Sequence, residues 1–154
     1  MANMLFMGAS QLNSDPFLFV IDDSDDDVFI LSRAIKGAGI LNTIDCAGNG
    51  EQAIKYLQAL LNHSSSSSNL PAIILLDIKM PLADGHQVLA WIRSQSALSR
   101  LPVYMLTSSE LESDRSRSTQ LGATDFWVKP SSYPEYRTLA DKIKNLLDTT
   151  ALSA

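Results

Sequence analysis

Apolar residues in this chain recur in two alternating rhythms. Short runs at 17–21, 42–47, 72–76, 102–106 and 125–128 have strand length, and the unbroken ones read as strands covered on both faces. Between them the apolar positions fall at helical spacing. Val28, Leu31, Ile35 and Ala38 mark one helix, and Ala53, Ile54, Leu57, Leu60 and Leu61 a second. Val88, Leu89 and Ile92 mark a third, and Tyr136, Leu139, Ile143, Leu146 and Leu147 the last. The segment between the fourth and fifth strands, ELESDRSRSTQ at 110–120, reads as a polar helix with little to bury. Strand–helix alternation five times over predicts an α/β fold, a parallel sheet with helices on both faces joined by right-handed crossovers.

Local punctuation agrees with this division. Gly37 and Gly39 suit the end of the first helix. Three helix starts carry a capping-box pairing: Ser24 with Asp27, Ser109 with Glu112, and Ser132 with Glu135. Pro134 falls in a first turn, where its missing N–H costs nothing. Residues 1–15 read as a flexible extension, 16–148 as one domain and 149–154 as a short tail. The stretch HSSSSSNLP at 63–71 reads as a flexible surface spacer.

Composition narrows the function classes. A net charge of −5 argues against nucleic-acid binding, which needs a basic face. Cys46 is the sole cysteine, so there is no intrachain disulfide framework, in keeping with a reduced compartment. The first residues lack the basic flank and apolar core of a signal peptide, and no run approaches membrane-span length. A cytoplasmic protein without membrane contact is the expectation.

The chemistry concentrates at strand ends. The first strand runs into five carboxylates within six positions, Asp22, Asp23, Asp25, Asp26 and Asp27, interrupted by Ser24. Like charges this close raise one another's pKa unless a cation, a helix N-terminus or water offsets them. The third strand ends in Asp77, the fourth in Thr107 and the fifth in Lys129. Open parallel sheets bind ligands outside the carboxyl ends of their strands, so these residues should converge. Asp22, Asp23 and Asp77 supply the hard oxygens that Mg²⁺ prefers, and an ionised aspartate can act as a nucleophile that forms an aspartyl phosphate. Phosphoryl transfer needs mainly positioning and charge neutralisation, which Lys129, Thr107 and a divalent cation would provide. Asp25, Asp26 and Asp27 read as first-turn acids favoured by exposed N–H groups and the helix dipole.

The motifs VIDDS, LLDIKMP, DG at 84–85, LTSS at 106–109 and VKP at 128–130 occur in order and at strand ends. Together they resemble the receiver domain of two-component response regulators, over roughly residues 16–148. The resemblance implies a flavodoxin-like (βα)5 fold with strand order 2-1-3-4-5. It implies Asp77 as the phosphoacceptor and Mg²⁺ held by Asp23 directly, by Asp22 through water, by Asp77 and by the backbone carbonyl of Lys79. Thr107 and Lys129 would contact the phosphoryl group, Thr107 and Phe126 would form the switch, and the Lys129–Pro130 peptide would be cis. A histidine kinase or phosphotransfer protein would be the donor. No output domain follows the last helix, so the expected output is a contact through 110–120, 125–128 and 133–148, either with a target or with a second copy. Tyr133, Tyr136 and Trp127 are the candidate anchors there. The serine-containing loop after the second helix and the expected lack of an output domain also resemble small regulators that partner phytochrome-type or other hybrid kinases.

Two other classes share the architecture or the chemistry. A Mg²⁺-dependent phosphatase of the haloacid dehalogenase type also uses an aspartate nucleophile, but it needs a second acid two positions on, where this chain has Lys79. Nucleotide or flavin binding lacks its loop, since the first strand is followed by acids and there is no G-x-x-x-x-G-K-[ST]. An EF-hand is excluded because Asp27 stands where the loop glycine belongs. His63 and His86 read as surface residues, with no metal-ligand spacing around them. Lys79, two positions after the acceptor, borders the expected phosphoryl site, where a cation can pair with an oxygen or exclude water. Replacing Lys79 by Ala is therefore expected to change the lifetime of the phosphorylated state, and a dephosphorylation time course identical to the parent's would refute this.

Overall fold

The computed structural model describes residues 16–63 and 69–153; the expected extension at 1–15 and most of the serine spacer lie outside the described residues. Five strands alternate with five helices: β1 (Leu18–Ile21), α1 (Asp25–Gly37), β2 (Ile44–Ala47), α2 (Gly50–His63), β3 (Ile73–Leu76), α3 (Gly85–Ser94), β4 (Val103–Thr107), α4 (Glu112–Leu121), β5 (Asp125–Val128) and α5 (Tyr133–Ser153). All strand pairings are parallel and the order is β2-β1-β3-β4-β5. The α/β parallel sheet expected from the alternation and the flavodoxin-like strand order implied by the resemblance are those observed.

Strand pleating divides the core into two layers. Leu18, Val20, Ile73, Leu75, Tyr104, Leu106 and Trp127 face α1 and α5, where they meet Leu31, Ile35, Leu139 and Ile143. The alternate positions, Phe19, Ile21, Ile74, Leu76, Val103, Met105 and Phe126, face the other way onto Ala53, Leu57, Val88, Leu89 and Ile92. Every residue of β1 and β3 is buried, as their unbroken apolar runs require. On the sheet's edge, the Tyr56 hydroxyl donates to the buried Asp45 carboxylate and pins α2 to β2.

Several local expectations change. The α5 helix continues to Ser153, so residues 149–153 extend the helix where a tail was expected; once the preceding turns exist, each further residue keeps helical hydrogen bonding at little cost. Ser109 does not cap α4: the N-cap is Leu111, and the Ser109 hydroxyl instead accepts from the Leu111 N–H and donates to Asp114. Ser24 does cap α1, accepting from the Asp27 N–H at 3.2 Å, but the Asp27 carboxylate turns away to a lysine and the reciprocal half of the box is absent. Glu135 likewise bonds Ser131 while its N–H reaches Ser132. A complete capping box occurs at α3, between Asp84 and Gln87. Gly39 adopts φ +87°, as a residue just past a helix C-terminus often must.

Among the described residues no peptide bond is cis, so the cis Lys129–Pro130 bond implied by the resemblance is not found. Trans is the lower-energy isomer by about 0.5–1 kcal/mol for X–Pro bonds, and the Lys129 side chain reaches its partners from that geometry. No described helix is long and apolar enough to cross a membrane.

The loop after β3 is tightly folded onto the strand it leaves. Leu82 and Ala83 have positive φ, and the Gly85 N–H donates to the Ile78 carbonyl at 2.7 Å. A Cβ on Gly85 would lie 2.0 Å from the carbonyl oxygen of Asp77, so only glycine lets α3 start this close to the strand end. Gly85→Ala is expected to destabilise the protein by about 1–3 kcal/mol, the scale of an overpacked site, measured as a lower urea midpoint with unchanged slope. An unaltered midpoint would show that the loop relaxes freely.

Candidate functional site

Each pocket residue stands where a strand stops. In the sheet register Ile21 lies beside Leu76, so the next residues, Asp22 and Asp77, leave adjacent strands at the same level. The Asp77 N–H donates to the Ile21 carbonyl at 2.9 Å, carrying the ladder one step beyond the strands. Asp22, Asp77 and Lys129 continue the pleat parity of Val20, Leu75 and Trp127, the face covered by α1 and α5. The Lys129 N–H donates to the Thr107 carbonyl at 2.8 Å, which ties the end of β5 to that of β4.

The lysine closes the pocket. Its Nζ lies 2.8 Å from Asp22 Oδ2, 2.7 Å from Asp27 Oδ2 and 3.2 Å from Asp77 Oδ2. Asp22 and Asp77 are buried, and each is also held by a nearby backbone N–H. Ser24 donates to Asp22 Oδ1 at 2.9 Å and Ile78 to Asp77 Oδ1 at 2.7 Å. Asp23 is exposed, and one carboxylate oxygen each from Asp22, Asp23 and Asp77 gather within 4.8 Å of one another. Three hard anionic oxygens at that spacing fit a small divalent cation, so the three carboxylates of the expected donor set are brought together.

Burial pushes the Asp22 carboxyl above its ordinary value, while hydrogen bonds from Lys129 and the Ser24 N–H and the Lys129 charge pull it down. Burial alone would lower the Lys129 ammonium, but hydrogen bonds to Asp22 and Asp27 and the charge of Asp77 more than offset it, so it is held above the ordinary lysine value. Both partners move upward for different reasons: three carboxylates outweigh the burial of the lysine, whereas for Asp22 burial, with a small addition from the charge of Asp77, outweighs the single ammonium.

The remaining candidates are distributed around this centre. Thr107 is buried at the end of β4, its hydroxyl accepting from the Ser109 N–H at 3.3 Å. Phe126 is buried on the opposite face, with the Arg115 guanidinium 4.6 Å above its ring. Lys79 is exposed on the loop that leaves β3.

Three expectations are corrected by burial and contact. Asp27 is a pocket residue rather than only a first-turn acid, because the first turn of α1 brings its carboxylate onto Lys129. No local signal separates Asp27 from Asp25 and Asp26, since its partner Lys129 lies 102 positions further along the chain. His86 is 3% exposed, so it is not a surface residue; its Nε2 lies 3.0 Å from Ser118 Oγ and 3.3 Å from the Asp114 carbonyl, joining α3 to α4. Trp127 and Tyr136 are buried and so not available as anchors. Trp127 stacks on Tyr104 at 4.4 Å between ring centres, and of the three anchor candidates Tyr133 alone is exposed. His63 is exposed as expected.

Residues 18–141 match the response regulator receiver domain family. The probable methanogenesis regulatory protein FilR2 of Methanothrix harundinacea is 29% identical over 131 residues, covering 84% of this chain and 83% of that protein. Response regulator Rcp1 of Synechocystis is 27% identical over 147 residues, 95% of this chain and 99% of that one. Other relatives are longer: the chain spans 15% of the sensor histidine kinase CheAY of Helicobacter pylori, to which it is 33% identical. The crystal structure of the phosphorylated cyanobacterial phytochrome response regulator RcpA superposes with a TM-score of 0.77 at 26% identity, covering 88% of this chain and 95% of that one.

The raised Asp22 pKa sets a sign for stability. A carboxyl that holds its proton more tightly folded than unfolded contributes stability fully below its unfolded value and loses it as pH rises through the folded value. Ionised Asp22 is therefore a net cost at neutral pH. In chelator at pH 7, Asp22→Asn is expected to melt above the parent. Added Mg²⁺ is expected to raise the parent's melting temperature and leave the variant's nearly unchanged. A variant that melts below the parent in chelator would mean that pairing with Lys129 outweighs burial.

Proposed function

Because this chain belongs to the response regulator receiver domain family, we propose that it is a phosphoacceptor of a two-component relay in which Asp77 takes a phosphoryl group from a histidine kinase or phosphotransfer protein. The observation that carries this reading is the Lys129 ammonium, held at once 3.2 Å from Asp77 and 2.8 Å from Asp22, beside three clustered carboxylates. A solitary turn-forming aspartate at a strand end needs neither a buried cation nor acidic neighbours.

The Asp77 carboxylate is positioned as a nucleophile by its own loop. The Ile78 N–H fixes Oδ1, and Gly85 packed against the Asp77 carbonyl fixes the backbone. In transfer, a carboxylate oxygen attacks the phosphorus of the phosphohistidine. The P–N bond breaks with its electron pair going to the imidazole nitrogen, which takes up a proton, and Asp77 becomes an acyl phosphate. Lys129 faces the oxygens of the incoming group, and Thr107 at the end of β4 supplies a hydroxyl to one of them. Asp22, Asp23 and Asp77, with the Lys79 carbonyl, would hold the divalent cation, for which the all-oxygen donor set favours Mg²⁺. Bound there, Mg²⁺ would neutralise the charge that accumulates on the phosphoryl oxygens. Hydrolysis by water at phosphorus returns the carboxylate and inorganic phosphate.

Signalling follows from the same contacts. Drawing Thr107 toward a phosphoryl oxygen alters the Ser109 N–H bond to its hydroxyl, and Ser109 is bonded to Asp114 at the start of α4. α4 fully buries only the polar Ser118, and Leu121 at its end packs partly against the core, so its position rests largely on polar bonds that are readily exchanged. The output surface is then α4, β5 and the exposed side of α5, and Phe126 is the buried aromatic next to it. A phytochrome-type kinase as donor agrees with the likeness to the phytochrome response regulator RcpA. The phosphatase reading is disfavoured by Lys79, which offers no acid where that chemistry needs one.

Intact mass after treatment with acetyl phosphate and Mg²⁺ tests the assignment. The parent is expected to gain one phosphate and Asp77→Asn none. Equal labelling of both proteins would move the acceptor elsewhere.

A further inference from the structure

The shortest contact of the pocket lysine is to a residue that the metal and phosphoryl assignments leave without a role. Lys129 Nζ lies 2.7 Å from Asp27 Oδ2, against 2.8 Å to Asp22 and 3.2 Å to Asp77. The contacts to Asp27 and Asp77 have hydrogen-bond geometry and that to Asp22 is a close ion pair, so three carboxylates surround an ammonium with three N–H bonds. Asp27 differs from the other two in its surroundings: its side chain is 34% exposed, whereas those of Asp22 and Asp77 are 7% exposed. Its backbone is fixed by the bond from its N–H to the Ser24 hydroxyl. Helix capping does not call for this carboxylate, because Ser24 is the cap and Asp25 and Asp26 in the same turn already offer exposed negative charge to the helix N-terminus.

The three carboxylates differ in the other claims made on them. Asp22 belongs to the cation cluster, and Asp77 belongs to that cluster and is the acceptor. A cation and a phosphoryl group in the pocket draw on both, and the cation repels the ammonium as well. Asp27 has neither duty. It lies on the α1 side of the lysine, away from the metal cluster's membership, and can keep its bond throughout. On the premise that Asp77 is the acceptor, we propose that Asp27 is a positioning residue that holds the Lys129 ammonium beside the acceptor while Asp22 and Asp77 are engaged by cation and phosphoryl group.

Removing that bond has two consequences. The lysine, short of one partner, leans onto Asp22 and Asp77 and competes with the cation for them. It also samples more positions when the phosphoryl donor arrives. Asp27→Asn is therefore expected to raise the Mg²⁺ concentration for half-saturation severalfold. It should also slow phosphorylation by acetyl phosphate at saturating Mg²⁺ by about tenfold, the scale of one charge-assisted hydrogen bond. Asp27→Glu, which keeps the charge, is expected to restore much of both. Asp26→Asn removes the same charge from the same helical turn, where no contact with Lys129 exists, and is expected to behave like the parent.

Mg²⁺ titration followed by amide NMR shifts, together with phosphorylation followed by intact mass, separates the outcomes. Equal shifts for Asp27→Asn and Asp26→Asn would reduce the effect to general charge and overturn the proposal, as would parent-like values for Asp27→Asn. A parent that takes up no phosphate would instead sink the Asp77 assignment, and the Mg²⁺ titration would still decide whether Asp27 restrains the lysine. Should Asp27→Asn fail to melt cooperatively, Asp27→Ser keeps a polar first-turn side chain and serves the same comparison.

Discussion

One ammonium group organises the working end of this molecule. Lys129 is nearly buried, and a buried cation is tolerated only when anionic hydrogen-bond partners surround it. Three carboxylates do so, from the ends of β1 and β3 and from the first turn of α1, while the lysine itself closes β5. Four separate segments are thereby held in one geometry. The arrangement carries an excess of negative charge even with the lysine in place, since exposed Asp23 adds a further carboxylate to the cluster. Electrostatic demand for a second cation is a consequence of how the strands end, and it comes at a cost to the folded state through the burial of Asp22.

The opposite side of the pocket is built differently. Beyond Thr107 the contacts are hydroxyls, a histidine and backbone groups: Ser109 with Asp114, Ser118 with the Asp114 carbonyl, and His86 with Ser118. These link α4 to α3 and to the end of β4 with little apolar burial. Hydrogen bonds exchanged between partners change energy far less than apolar area exposed to water, so this helix is a low-cost element to shift. The rigid half, α1 and α5 against the apolar face of the sheet, holds Asp77 and Lys129. Chemistry that needs fixed positions and a surface that needs to respond thus occupy different layers.

Much of this was readable in the residues. The five strands and five helices followed from hydrophobic rhythm, because a two-sided buried strand and an amphipathic helix leave unlike periods in a sequence. The strand ends were readable for the same reason, as the residue where an apolar run turns polar is the residue that leaves the sheet. Strand-end polarity placed Asp22, Asp77, Thr107 and Lys129. Where reading failed, a side chain had two plausible duties. Asp27 looked like a first-turn acid, Ser109 like a cap, His86 like a surface residue, and Trp127 and Tyr136 like exposed anchors.

The sequence by itself therefore determined the fold class, the sheet order through the receiver-domain motifs, and the set of residues gathered at one end, since these depend on local period and on the rule for strand ends. Only the tertiary structure decided how the partners are shared. That Lys129 takes Asp27 as its nearest partner depends on where α1 comes to rest against the end of β5, a contact between residues far apart in the chain. That His86 is buried depends on α4 settling over α3. Pattern within a segment reports which face is apolar; which polar group meets which across segments is a property of packing, and no local period encodes it.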